Sequence, residues 1–306
     1  MKRLNYFIGA ALAIAAAVSC NKEPEVVDFP IVGDFTLYGE SAEGTWAKNT
    51  SVGVFVTSDG VAQTNLEYTP ASTEATGSVQ LNAKSEKAGF KQGNHVVYAY
   101  YPYVATAEGN TVVLGDLTSQ NTKPVLPDMF KEWENDPSMK DFLGMLYIYN
   151  TSAPVIYAAK KEVKEYSSAP IDLGVFAPVA VTISVAEPGL TGEEAESLVG
   201  KKVEKIVLSS NKTIAYKDTK YDVVSGKIIG TEGSNSIEVI TNNAVYSMSM
   251  VNVNAFNVAT CLTKEDLTDA KFTIEVYIEG NKKYAAVDYT ANSNNQLVNV
   301  ALNPAN

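Results

Sequence analysis

Histidine, cysteine and arginine are nearly absent from this sequence, and each scarcity removes a class of function. His95 is the only histidine. Metal centres built from several imidazoles therefore lack a ligand set, and a catalytic triad would have one possible base. Two cysteines, Cys20 and Cys261, cannot make a Cys-rich zinc site. Arg3 is the only arginine, and 35 acidic side chains stand against 24 basic ones for a net charge of −11. That balance argues against nucleic acid as a partner, because phosphate binding needs a basic field. No G-x-S-x-G, P-loop or D-x-D-x-D-G calcium loop occurs. After the first twenty residues no apolar run approaches the length of a membrane-spanning helix. What remains is a chain of 306 residues, 45% of them apolar. That is enough for about two packed domains of roughly 150 residues each.

The first twenty residues have their own pattern. Lys2 and Arg3 precede an apolar stretch from Ile8 to Val18. The stretch is too short to cross a ~30 Å hydrocarbon layer, which suits a cleaved export signal over residues 1–19. Ala17-Val18-Ser19 before Cys20 resembles the lipobox of bacterial lipoproteins, with Ala17 where Leu is preferred. The resemblance implies a diacylglycerol and an N-acyl chain on Cys20; no other cofactor is expected. Acyl chains stabilise membrane binding by about 0.8 kcal/mol per buried CH₂, so lipid is the expected and only membrane attachment. Residues 20–27 form a charged tether, and Lys22-Glu23 with Glu25 resembles a signal for the outer face of the outer membrane.

The rest of the chain alternates with period two, the signature of half-buried strands. Phe272, Ile274, Val276 and Ile278 interleave with polar residues, as do Val179, Val181, Ile183 and Val185. Phe29, Ile31, Phe35 and Leu37 repeat the pattern around Gly33, and so do Val52, Val54 and Val56, and Val298, Val300 and Leu302. Turn residues such as Ser58-Asp59-Gly60 and Glu108-Gly109-Asn110 punctuate the runs. Helical signals are confined to Met129–Asn135, Gly192–Val199 and a capping box at Thr263-Lys264-Glu265-Asp266. The expected fold is all-β: two antiparallel β-sandwich domains, residues 28–170 and 171–306, with few short helices. The charged and turn-rich stretch from Lys160 to Pro170 marks the boundary.

Candidate chemistry is sparse. Ser209-Ser210-Asn211-Lys212 has the S-x-x-K spacing of serine–lysine acyl enzymes, yet it lies between two strand patterns and reads as a hairpin turn. His95 opens a strand and reads as a surface residue. Glu193-Glu194 and the carboxylates Glu132, Glu134 and Asp136 read as solvated faces rather than a glycosidase pair. No catalytic residue and no metal ligand is assigned. Tyr98, Tyr100, Tyr101 and Tyr103 crowd one segment; they suit a strand packed on both faces, and alternatively a sugar-stacking platform.

Val96-Val97-Tyr98-Ala99-Tyr100-Tyr101-Pro102-Tyr103, following Trp46 and Val52–Val56, resembles the fimbrillin-like lipoproteins of the Bacteroidales. Asp141-Phe142-Leu143-Gly144-Met145, Phe176–Ile183 and Val203–Ser210 extend the likeness in order along most of the mature chain. The resemblance implies transthyretin-like domains and a subunit of adhesive surface fimbriae, with other subunits as partners and an unidentified surface ligand. It further implies that proteolysis removes the N-terminal strand and that a strand from another subunit refills the groove. On this sequence the displaced strand is Phe29 to Tyr38, carrying Phe29, Ile31, Phe35 and Leu37. The donor is Leu297 to Leu302, with Val298, Val300 and Leu302 as plugs. Better-known members are cut after Arg; here Lys48 is the candidate processing site, since Arg3 lies in the leader. The alternative reading is a glycan-binding surface lipoprotein of a nutrient-uptake system, which requires exposed aromatics in a row.

Overall fold

The computed structural model describes residues 33–58, 61–90, 93–126, 128–139, 143, 148–151, 153–164, 170–188, 197, 201–242, 256–279, 282–286, 289–292 and 297–304. Strands dominate, as the alternation predicts, and the described helical turns are short. Met129–Asn135 becomes a 3₁₀ turn over Asp128–Trp133. The Thr263 box caps Glu265–Asp269: Asp266 accepts from the Thr263 amide at 2.8 Å and its own amide donates to Thr263 Oγ1 at 3.4 Å. Gly192–Val199 lies, apart from residue 197, outside the described residues. Among the described residues no helix is long and apolar enough to cross a membrane.

The first sheet runs in the order Ile171–Val175, Leu37–Glu40, Val79–Ala83, Val61–Pro70, Val52–Ser58, His95–Tyr101, Tyr157–Val163, Ala177–Pro178. Its two ends are one stretch of chain. Ile171–Val175 pairs with Leu37–Glu40, and two residues on Ala177–Pro178 pairs with Tyr157–Val163, so residues 171–178 close the sheet on itself. Closure removes free edges and encloses a core of Phe35, Leu37, Trp46, Val54, Leu81, Val97 and Phe176 among others.

A second sheet of ten strands contains Ser119–Val125 and Ile148–Thr151 together with strands from the C-terminal part of the chain. It too closes, through parallel pairing of Thr182–Pro188 with Leu297–Pro304. Its core gathers Ile183, Ile206, Leu208, Ile237, Val239, Phe272 and Ile274. A smaller sheet joins Ala107–Glu108 and Thr111–Gly115 to Thr219–Asp222 and Lys227–Ile229. It packs on the outer face of the first sheet through Phe55, Tyr100, Val112, Tyr221 and Val223. The strand Val52–Ser58 is thereby covered on both faces, which explains its unbroken apolar run Val52-Gly53-Val54-Phe55-Val56.

The fold is all-β as expected, with two features that the alternation does not reveal. The sheets are not purely antiparallel: four described pairings are parallel, at 37–40 with 171–175, 119–121 with 238–240, 149–150 with 256–257, and 182–188 with 297–302. Parallel neighbours require long crossovers, so each such ladder joins segments distant in sequence. For the same reason the hydrogen-bonded sheets do not divide at residue 170. Residues 171–178 belong to the first sheet, and residues 119–125 and 148–151 to the second.

Candidate strand-exchange site

The segment before Lys48 enters the first sheet as an interior strand. Leu37, Tyr38 and Gly39 face Leu81, Gln80 and Val79 on one side, and Leu37 and Tyr38 face Ile171 and Asp172 on the other. Further backbone bonds extend the seam: Phe35 donates to the Ala88 carbonyl at 2.8 Å, while Ile171 and Phe176 donate to the Thr36 and Glu40 carbonyls at 2.8 and 3.0 Å. Gly33 and Asp34 pair with Phe90 and Gly89. The period-two pattern turns Phe35, Leu37 and Gly39 inward, and all three are buried.

After Glu40 the chain leaves the sheet and returns to seat Trp46 in an aromatic box. Its ring meets Tyr101 at 4.9 Å and Phe176 at 5.5 Å, both edge-on, and Tyr101 stacks on Tyr157 at 4.9 Å. The Tyr101 hydroxyl accepts from the Ala42 amide at 3.1 Å and lies 3.4 Å from Ser41 Oγ. Burial pushes the Tyr101 and Tyr157 phenols above their ordinary range. Among the described residues nothing accepts a hydrogen bond from buried Trp46 Nε1. The box is therefore held by shape and apolar contact more than by polar bonds.

Lys48 comes next, exposed in a turn where Thr50 donates its amide (3.1 Å) and hydroxyl (2.7 Å) to the Ala47 carbonyl. Asn49 takes the left-handed conformation with φ 65°. The candidate processing site is thus a surface turn two residues beyond a buried tryptophan.

Of the residues expected to be displaced, Phe35 and Leu37 lie in this slot, 5% and 0% exposed. Phe29, Ile31 and the candidate lipidation site Cys20 lie outside the described residues. The candidate donor is paired within its own chain. The backbone of Val298 and Val300 pairs with Ile183 and Val185 on one side and with Ala291 and Tyr289 on the other, and Leu302 pairs with Pro188. Trp46 and Phe176, which in the sequence carry only the family likeness, complete the slot together with Gly39, which no motif marks. Ile171 and Leu173 alternate visibly, but nothing local in the sequence says which sheet they join.

His95 is not at the surface. It is 2% exposed and meets Phe35 edge-on at 5.8 Å, because it shares inward parity with Val97 and Ala99 on its strand. The expected hairpin turn at Ser209 to Lys212 is not formed: Ser209 and Ser210 end the strand Val203–Ser210, Asn211-Lys212 is a bend, and the next strand, Ala215–Tyr216, pairs with Gly233–Ser234 instead; Lys212 Nζ donates to the Asp266 carbonyl at 2.5 Å. Glu132, Glu134 and Asp136 are exposed; Glu193 and Glu194 lie outside the described residues. Tyr98, Tyr100, Tyr101 and Tyr103 form no exposed row. Tyr100 is fully buried, and the other three pack against the two cores.

The slot consists of a backbone ladder and apolar sockets, both filled here by the chain's own residues 35–46. No protein-family model and no curated protein matches the sequence. Solved structures similar to the chain include a candidate cell adhesion protein from Bacteroides uniformis, at 17% identity and TM-score 0.47, over 90% of this chain and 98% of that one. A fimbrial protein from Bacteroides vulgatus is 10% identical with TM-score 0.38, over 88% and 87% of the two chains. The tip fimbrial protein Mfa3 from Porphyromonas gingivalis, with C-terminal truncation, is 10% identical with TM-score 0.35, over 84% and 82%.

Proposed function

We propose that this protein is the surface-exposed, lipid-anchored precursor of a fimbrial subunit that mediates adhesion. It loses its N-terminal segment at Lys48 and polymerises when a strand from another subunit takes the vacated place. The observation that carries this reading is the slot itself: a segment buried in the middle of a closed sheet is followed at once by an exposed turn. Cutting there leaves two strand edges, Val79–Ala83 and Ile171–Val175, without a neighbour between them. It also vacates the places of Phe35, Leu37 and Trp46. At about 1.5–3 kcal/mol for each fully buried side chain, refilling them supplies on the order of 5–9 kcal/mol. Loss of translational freedom and strand ordering offset part of that. Before the cut, the diacylglycerol and acyl chain on Cys20 hold the precursor at the outer membrane.

The test is N-terminal sequencing of the cell-surface form, combined with gels run before and after boiling. The expected result is an N-terminus at Asn49 in material that runs as a boiling-sensitive ladder. An intact chain beginning at Cys20 in every polymer refutes processing as the trigger.

A further inference from the structure

The slot discriminates at one position by size. Gly39 has no positive φ, so it is not there for backbone freedom. A Cβ added to it would stand 2.8 Å from Phe176 Cε2 and 3.6 Å from Leu81 Cδ1. Phe176 has little room to yield: it is 0% exposed, its ring lies against Tyr101 at 5.3 Å, a neighbour that stays after the cut, and a strand that brings back Trp46 restores the contact at 5.5 Å on its other flank. The Phe35 and Leu37 places, by contrast, hold large side chains at 5% and 0% exposure.

We infer that the vacated slot selects a partner strand reading bulky apolar, any residue, bulky apolar, any residue, glycine, with Phe176 enforcing the glycine. This rests on the strand-exchange reading above and specifies which strand can serve. The displaced segment carries this code as Phe35-Thr36-Leu37-Tyr38-Gly39, and repeats it directly upstream as Phe29-Pro30-Ile31-Val32-Gly33. The offset of six residues is even, so the repeat keeps each side chain type on the same face. The chain's own C-terminal candidate, Leu297-Val298-Asn299-Val300-Ala301-Leu302-Asn303-Pro304, contains no glycine. With Val298 and Val300 in the Phe35 and Leu37 places, Leu302 falls on Phe176; a shift of two residues puts Pro304 there, and a shift the other way Val300. The occupant is accordingly a strand of a different sequence, and the C-terminal strand keeps its place in its own second sheet.

The test uses the full-length chain with a specific protease site in the 47–50 turn, cut after purification, and fluorescent peptides followed by gel filtration. A peptide of residues 34–46, which includes Trp46, is expected to exchange into the slot. The same peptide carrying Gly39→Ala is expected to be taken up at least about tenfold more weakly, the factor that about 1.4 kcal/mol produces. A peptide of residues 297–304 is expected not to enter. In the Phe176→Leu protein the Gly39→Ala peptide is expected to recover to within about threefold of the unmodified one, by the same conversion. Uptake of the alanine peptide or the 297–304 peptide equal to that of the native peptide overturns the selectivity and leaves strand exchange standing. Failure of every peptide to enter the cut protein overturns strand exchange itself, and the selectivity with it.

Discussion

Replacing Gly53 by alanine tests how tightly the two layers flanking the Val52–Ser58 strand are fitted. The new methyl carbon would lie 2.1 Å from Tyr100 Cε1, 2.5 Å from Cζ and 2.8 Å from the hydroxyl. Tyr100 cannot swing aside cheaply. It is fully buried between Phe55 and Tyr221, at centroid distances of 6.2 and 5.9 Å. Its hydroxyl donates to Asn65 Oδ1 at 2.7 Å and receives the Val104 amide at 3.2 Å. Burial also drives its phenol far above the ordinary range, so it stays a neutral donor throughout the working pH range. Overpacking costs about 1–3 kcal/mol. Losing two hydrogen bonds adds about 1 kcal/mol each. The expected destabilisation is therefore about 3–5 kcal/mol, a fall in Tm of roughly 6–20 °C at the 2–4 °C per kcal/mol usual for large domains.

Thermal and urea unfolding followed by circular dichroism read this directly. Gly77→Ala is the control: its added carbon meets nothing within 4 Å, and its φ of +80° confines the cost to backbone strain of about 1–2 kcal/mol. Adding Tyr100→Leu to Gly53→Ala removes the ring from the clash and should couple favourably by at least about 1 kcal/mol. A Gly53→Ala protein within about 0.5 kcal/mol of the parent, or a strictly additive double variant, refutes the argument.

Three further outcomes follow from particular contacts. Leu37→Ala removes a side chain that is 0% exposed in the slot and should cost about 2–5 kcal/mol, with faster trypsin cleavage at Lys48 in the folded protein. The Cys261 thiol, pushed up to about 11 by burial, should resist iodoacetamide at pH 8 in the native protein and react on unfolding, as peptide mapping of that cysteine would show. Asp218 is held down to about 2 from its ordinary 3.8 by the Glu232 amide and by the amide and hydroxyl of Thr231. A depressed carboxylate stabilises the fold above its ordinary value and loses that contribution as pH falls toward 2, so Asp218→Asn should flatten the acid side of the stability profile between about pH 4 and pH 2.

The tyrosine-rich segment shows how far pattern reading reaches. Alternation along Val96–Tyr101 is enough to predict a strand, and aromatics on both parities are enough to predict two covered faces. The structure has both, with Val97 and Ala99 on one side and Tyr100 on the other. The same parity rule, applied one step earlier, places His95 inward; its polarity and its position at a strand start suggested the surface instead. Phe35 and Leu37 were legible as core residues because their spacing alone commits them to one face. Phe176 and Gly39 were not, because their roles exist only where two segments 137 positions apart touch.

Local order in this protein, the strands and their turns and the inward face of each, is written in the two-residue rhythm of its side chains, since a pleated strand turns alternate residues to opposite faces whatever its neighbour is. Neighbours are another matter. Backbone ladders are chemically the same along every strand, so a sequence of alternating valines does not say which strand it will lie beside, nor in which direction. Packing in three dimensions made that choice: it carried residues 171–178 back to close the first sheet, sent residues 119–125 into the second, and set the Phe176 ring against Gly39.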